Sequence, residues 1–105
     1  NYKYIKEILK EFNLNIERAK TGMESYEKAF RNDYDLIFMD IRMHEIDGIT
    51  VTKKLREKNI DIPIIALTAH AFEDDQKKSL EAGCEHYISK PARKSELINS
   101  LKKYL

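Results

Sequence analysis

The sequence holds no tryptophan, one cysteine, two prolines and three glycines in 105 residues, and each shortage narrows what the chain can be. A single cysteine, Cys84, cannot close an internal disulfide, which argues against the small secreted scaffolds that rely on bridges. With no second cysteine or evident histidine base beside it, Cys84 reads as a plain structural thiol. No apolar run approaches the roughly 20 residues that a membrane-spanning helix needs, and no signal-like stretch is present, so a reducing cytoplasm is the expected compartment and no membrane partner is expected. Charge of one sign is also lacking: nineteen basic residues against eighteen acidic ones leave a net charge of +1. Such a balance supplies no global field to attract nucleic acid or an anionic membrane, and direct nucleic-acid binding is not expected. What remains is one domain with a modest core under a heavily charged shell, 35% of the residues being charged.

With so few breaks in the chain, each one can be read. Ile5, Ile8, Leu9 and Phe12 fall at helical spacing and predict an amphipathic helix over 2–12. The segment NIERAK, 15–20, is short and reads as an edge strand. Thr21 and Glu24 have capping-box spacing and open a helix that runs to about Asn32. DLIFMD, 35–40, is continuously apolar rather than alternating, the pattern of a central parallel strand covered on both faces. After Gly48, ITVTKKLREK predicts a helix, with Asp47 as a loop or N-cap residue. PIIALT, 63–68, is a second continuous strand. A polar helix from about Phe72 to Ala82 ends at Gly83, with Phe72, Leu80 and Ala82 as its few apolar anchors. HYISK is a short strand, and Ser95 to Leu105 a final helix. Strands alternating with helices predict an α/β fold, a parallel sheet with helices on both faces.

Three of these strands end alike. DLIFM closes on Asp40, PIIAL on Thr68 and HYIS on Lys90, so each apolar run delivers one polar group to the same edge of the sheet. Parallel strands lie about 4.8 Å apart, close enough for a carboxylate, a hydroxyl and an ammonium to share one site. A carboxylate held beside an ammonium stays ionised and can attack a phosphoryl group, giving an aspartyl phosphate. Lys90 and Thr68 would then face the phosphoryl oxygens, and a hard cation such as Mg²⁺ would complete the site.

MDIRMHEIDG, PIIALTAHA and EAGCEHYISKP, in that order and spacing, resemble the receiver domain of bacterial two-component response regulators, of the kind attached to hybrid sensor kinases. The resemblance implies a flavodoxin-like doubly wound parallel sheet. It implies Asp40 as phosphoacceptor, Asp40 and the backbone carbonyl of Arg42 as Mg²⁺ ligands, Thr68 as switch hydroxyl, Lys90 as phosphate partner and Pro91 in a cis peptide. Tyr87 matches the aromatic switch position, read out on the face made by the family's fourth helix, fifth strand and fifth helix, which is also a possible dimer surface. The implied partner is a sensor histidine kinase or a histidine phosphotransfer domain. Family members open with a first strand and an acidic pair that carries much of the metal site, and that segment is absent from the sequence. Residues 1–105 are thus expected to form an N-terminally incomplete receiver. A truncated domain, a fragment completed by another chain and a naturally degenerate receiver all stay open.

The remaining candidates read as structural. His44, His70 and His86 lack metal-ligand spacing, Asp74, Asp75, Lys77 and Lys78 read as solvated helix charges, and the tyrosines at 2, 4, 26 and 34 as packing residues. The expected role is a phosphorylation-controlled switch rather than an enzyme with a diffusible substrate. A pseudo-receiver that docks partners without phosphorylation is the alternative. A hydrolase using an aspartyl phosphate would need a second aspartate at the position of Arg42.

Overall fold

Ile64, Ile65, Ala66 and Leu67 are apolar in unbroken succession because successive side chains of a strand point to opposite faces and both faces here are covered. The computed structural model of the protein describes residues 2–42, 46–69 and 73–105, apart from the side chains of residues 73 and 74. In chain order its elements are α1 (Tyr2–Leu9), α2 (Gly22–Arg31), β1 (Ile37–Asp40), α3 (Gly48–Glu57), β2 (Ile64–Thr68), α4 (Glu73–Ala82), β3 (His86–Ser89) and α5 (Lys94–Tyr104). The three strands form one parallel sheet in the order β1-β2-β3.

Two apolar layers sandwich that sheet. On one face Met39, Ile64 and Ala66 meet Ala29 of α2 and Val51 and Leu55 of α3. On the other, Ile65, Leu67 and Ile88 meet Leu9 of α1 and Leu97 and Leu101 of α5. The predicted α/β architecture, with helices on both faces, is therefore what the chain adopts. β2 is the best protected element, every one of its residues being buried.

The helix ends follow local chemistry. Thr21 Oγ1 accepts from Glu24 N at 3.1 Å, and the Glu24 carboxylate reaches back to Lys20 N at 2.7 Å, one residue earlier than a standard capping box. Asp47 caps α3 by accepting from Thr50 N at 2.8 Å. Gly83 ends α4 with φ of +117°, a left-handed conformation that glycine adopts without steric cost.

One sequence expectation fails among the described residues: 15–20 forms no strand. Backbone pairing makes a strand, and this segment is held by side chains instead. Leu14 and Ile16 pack on the α1/α5 layer, Lys28 Nζ donates to Arg18 O at 3.0 Å, and the Tyr34 hydroxyl bonds Glu17 at 3.2 Å. Two further corrections fall on α4. Leu80, expected as an anchor, is turned outward at 45% exposure, and the buried positions among the described side chains are Ser79 and Ala82. Asp75, expected to be solvated, has a mostly covered side chain paired with Arg42. Phe72, His44 and His70 lie outside the described residues, as does the side chain of Asp74.

Candidate functional site

The strand register decides where each polar group emerges. Asp40 pairs with Leu67, and Thr68 with Ser89, so Thr68 stands one rung beyond Asp40 and Lys90 one rung beyond Thr68. Backbone bonds continue past the strand ends: Ile41 N donates to Leu67 O at 3.0 Å and Lys90 N to Thr68 O at 2.7 Å. The three groups thus leave the carboxyl edge in a staggered row over adjacent strands.

Asp40 and Lys90 meet. Lys90 Nζ donates to Asp40 Oδ2, spanning β2 to do so, with both side chains partly covered. Asp40 Oδ1 accepts from Arg42 N at 3.1 Å, which fixes the carboxylate's orientation. Thr68 is buried at the tip of β2 between them. The Lys90–Pro91 peptide is cis, as expected. Tyr87, half-buried on β3, packs against the α2/α3 layer and stacks on His86 with ring centroids 5.4 Å apart. An open cleft of about 430 Å³ beside Lys90 is lined by Tyr4, Arg93 and Glu96 among others. Tyr4 also ties α1 to this corner by donating its hydroxyl to Ala92 O at 2.7 Å.

Gly48 makes the turn after Asp40 possible. A Cβ there would lie 2.4 Å from Asp40 O and 3.0 Å from Ile41 Cα, inside the contact limit of real atoms, so the loop returns against the strand end only with glycine. Gly48 N closes the loop on Ile41 O at 2.8 Å. A second knot fixes the approach to β3. Arg56 donates to Gly83 O from both Nε and Nη2, to Ile60 O at 2.6 Å and to the Glu85 carboxylate at 3.0 Å, while Glu85 accepts from Ile64 N at 2.6 Å. Gly48 closes the motif MDIRMHEIDG, but the close approach that demands it and the contacts of the Arg56 knot depend on residues that meet only after folding.

For a divalent cation the fit is partial. Asp40 offers a carboxylate, but both its oxygens are already engaged, and among the described residues no three His, Cys, Asp or Glu side chains gather as a metal cage. Mg²⁺ commonly takes only one or two carboxylates and fills its octahedron with waters and phosphoryl oxygens, so the donor chemistry suits it as an assisted rather than a preformed site. His86 is exposed on β3, away from such a role. Cys84 is buried, its thiol pushed above the ordinary value of 9.0 chiefly by burial, consistent with a structural group.

A doubly wound parallel sheet carrying an acid and an amine at its carboxyl edge is the arrangement of flavodoxin-like receiver domains, which hold their chemistry where the strands end. The family model described as response regulator receiver domain matches residues 1–102, and the chain belongs to that family, a domain of two-component signalling. It is 36% identical over 107 residues to the polar-differentiation response regulator DivK of Brucella ovis, covering 100% of this chain and 87% of that protein. Among solved structures it resembles the receiver domain of sensor histidine kinase PA1611 from Pseudomonas aeruginosa, in which a magnesium ion is coordinated in the active site cleft. That likeness has 32% identity and a TM-score of 0.90, over 99% of this chain and 87% of the other. It also resembles the receiver domain of Ssk1, crystallised with the histidine phosphotransfer protein Ypd1 of Saccharomyces cerevisiae. Identity there is 25% and the TM-score 0.90, over 98% and 79% of the two chains. No helix among the described residues is long and apolar enough to cross a membrane.

Proposed function

We propose that the chain is a phosphorylation-controlled switch that accepts a phosphoryl group onto Asp40 from a phosphohistidine of a partner. The observation that carries the reading is the Lys90–Asp40 pair formed across β2, with Thr68 buried between. Each carboxylate oxygen keeps lone pairs beyond its present bond, so Asp40 remains a nucleophile while held in place. In transfer, an Asp40 oxygen attacks phosphorus in line, the O–P bond forms and the partner's N–P bond breaks. The departing imidazole nitrogen keeps the electron pair and takes a proton from water. Lys90 stays protonated, its ammonium moving from a carboxylate oxygen to a phosphoryl oxygen as charge passes there, and the Thr68 hydroxyl donates to another. Bound Mg²⁺, held by Asp40 and the Arg42 carbonyl, would add positive charge to the phosphoryl oxygens.

The donor is a sensor histidine kinase or a histidine phosphotransfer protein, a reading supported by the Ypd1 complex of the Ssk1 receiver. Such donors act in the cytoplasm. Tyr87, on the strand beside Thr68, would carry the change outward to the face of α4, β3 and α5, where an output partner or a second copy would bind. The domain then has no diffusible substrate beyond phosphodonors and water, and at most catalyses its own phosphorylation and dephosphorylation.

The full chain, incubated with acetyl phosphate and Mg²⁺, is expected to gain one phosphoryl group by intact mass, and Asp40→Asn to gain none. A second reading, a docking module without phosphorylation, is favoured by the site's partial fit to a divalent cation, since no three acidic, cysteine or histidine side chains gather among the described residues. A folded wild type that gains no adduct would select it.

A further inference from the structure

Arg42 stands two residues beyond Asp40, and its guanidinium does not point to the site's own acid. Its Nη2 lies 3.6 Å from Asp75 Oδ2, so the pair bridges from the loop after β1 to the first turns of α4. The two ends differ in their surroundings: the Arg42 side chain is 68% exposed, whereas the Asp75 side chain is 16% exposed. A free arm is thus moored to a covered acid. Among the described side chains of α4, the fully buried ones, Ser79 and Ala82, are small and lie in its second half, and Leu80 faces out.

Reach makes the mooring exchangeable. Arg42 N is 3.1 Å from Asp40 Oδ1, which places Arg42 Cα within about 4.6 Å of that oxygen once the N–Cα bond is added. An arginine side chain extends farther than this, and phosphoryl oxygens are among the acceptors its planar fork suits best. An aspartyl phosphate carries more negative charge than the carboxylate it replaces, within the same sweep of the arm.

We propose, on the reading of Asp40 as phosphoacceptor, that Arg42 and Asp75 form a latch that pins the first turns of α4 over the site and opens when the Asp40 phosphoryl group captures the guanidinium. This route to α4 runs through an ion pair and is separate from Thr68 and Tyr87. Arg42 is a positioning residue for α4 and not a catalytic one.

The test is hydrogen exchange of the peptide covering 73–82, followed by mass spectrometry in the full chain. In the unmodified protein, Arg42→Met and Asp75→Asn are each expected to speed exchange roughly two- to fivefold, the range of a single ion pair at a partly exposed site. The double variant should be no faster than either single one. Both replacements preserve the backbone, and the peptides of α1 and α5 serve as controls for general loosening. Acetyl phosphate with Mg²⁺ should produce the same acceleration in the wild type and none further in Asp75→Asn, which lies outside the phosphoacceptor site and still takes up the phosphoryl group. Additive effects of the two replacements would overturn the latch. A phosphorylated wild type with unchanged exchange over 73–82 would overturn its trigger while leaving the phosphoacceptor reading intact. Absence of any adduct, by contrast, would overturn that reading and the trigger together, even if the two replacements proved coupled.

Discussion

Among single residues, Asp40 and Cys84 show opposite uses of burial. Asp40 is only partly covered and is held by two donors, so its carboxylate is aimed while staying reachable. Cys84 is enclosed, and burial dominates over the Thr52 hydroxyl that contacts its sulfur at 3.7 Å. That enclosure has a pH consequence. The folded thiol titrates above the ordinary value of 9.0, so above that pH the unfolded chain releases a proton that the native chain keeps, and stability falls until the folded thiol also ionises. Urea unfolding between pH 8 and pH 10.5 is expected to show a steeper loss of stability in the wild type than in Cys84→Ala, the two curves running parallel below pH 8. A parallel course throughout would mean that the native thiol ionises as freely as the unfolded one. Gly48 belongs to the same scale: its missing side chain lets the loop return against Asp40 O, which places the Arg42 N–H on the carboxylate.

Among the elements, the Arg56 knot joins the end of α3, the turn at Gly83 and the starts of β2 and β3. Three acceptor groups converge on one guanidinium, a geometry that needs a planar fork and cannot be copied by a single ammonium. Arg56→Lys is expected to cost about 1–2 kcal/mol in urea unfolding, because at least one partly buried acceptor loses its donor. β1 and β2 were legible from sequence because a continuous apolar run between polar ends has few other uses in a chain this short, and β3 as the short segment HYISK between Gly83 and the last helix. The site followed from them, since Asp40, Thr68 and Lys90 are simply where those runs stop. The segment 15–20 was not legible, because Ile16 is consistent with either a strand or a packed extended loop and only a backbone partner distinguishes the two. α4 resisted for a different reason. With so few apolar residues its buried face has no phase in the sequence, so Leu80 was expected inside where Ser79 is buried instead, and the covered position of Asp75 was missed. The Arg42–Asp75 contact joins residues 33 apart in sequence through side chains, for which no local pattern exists.

At the scale of the molecule, protection is graded from the inside of the sheet outward. β2 is buried along its whole length between two apolar layers, while the described side chains of α4 bury only small groups and make one polar tie to Arg42. Native-state hydrogen exchange is expected to rank the amides of Ile65 to Leu67 among the slowest, near the global unfolding free energy, and those of α4 among the fastest of the helices. Equal rates in the two elements would contradict the layered account. The staggered placement of the polar groups carries one more consequence. Side chains alternate between faces at every residue, so sliding β3 by a single position against β2 would swing Lys90 to the wrong side and part it from Asp40. A misthreaded molecule could keep its outline and much of its helix content yet be chemically mute. The acid–amine contact therefore serves as a proofreading mark, closing only when all three strands have threaded in step.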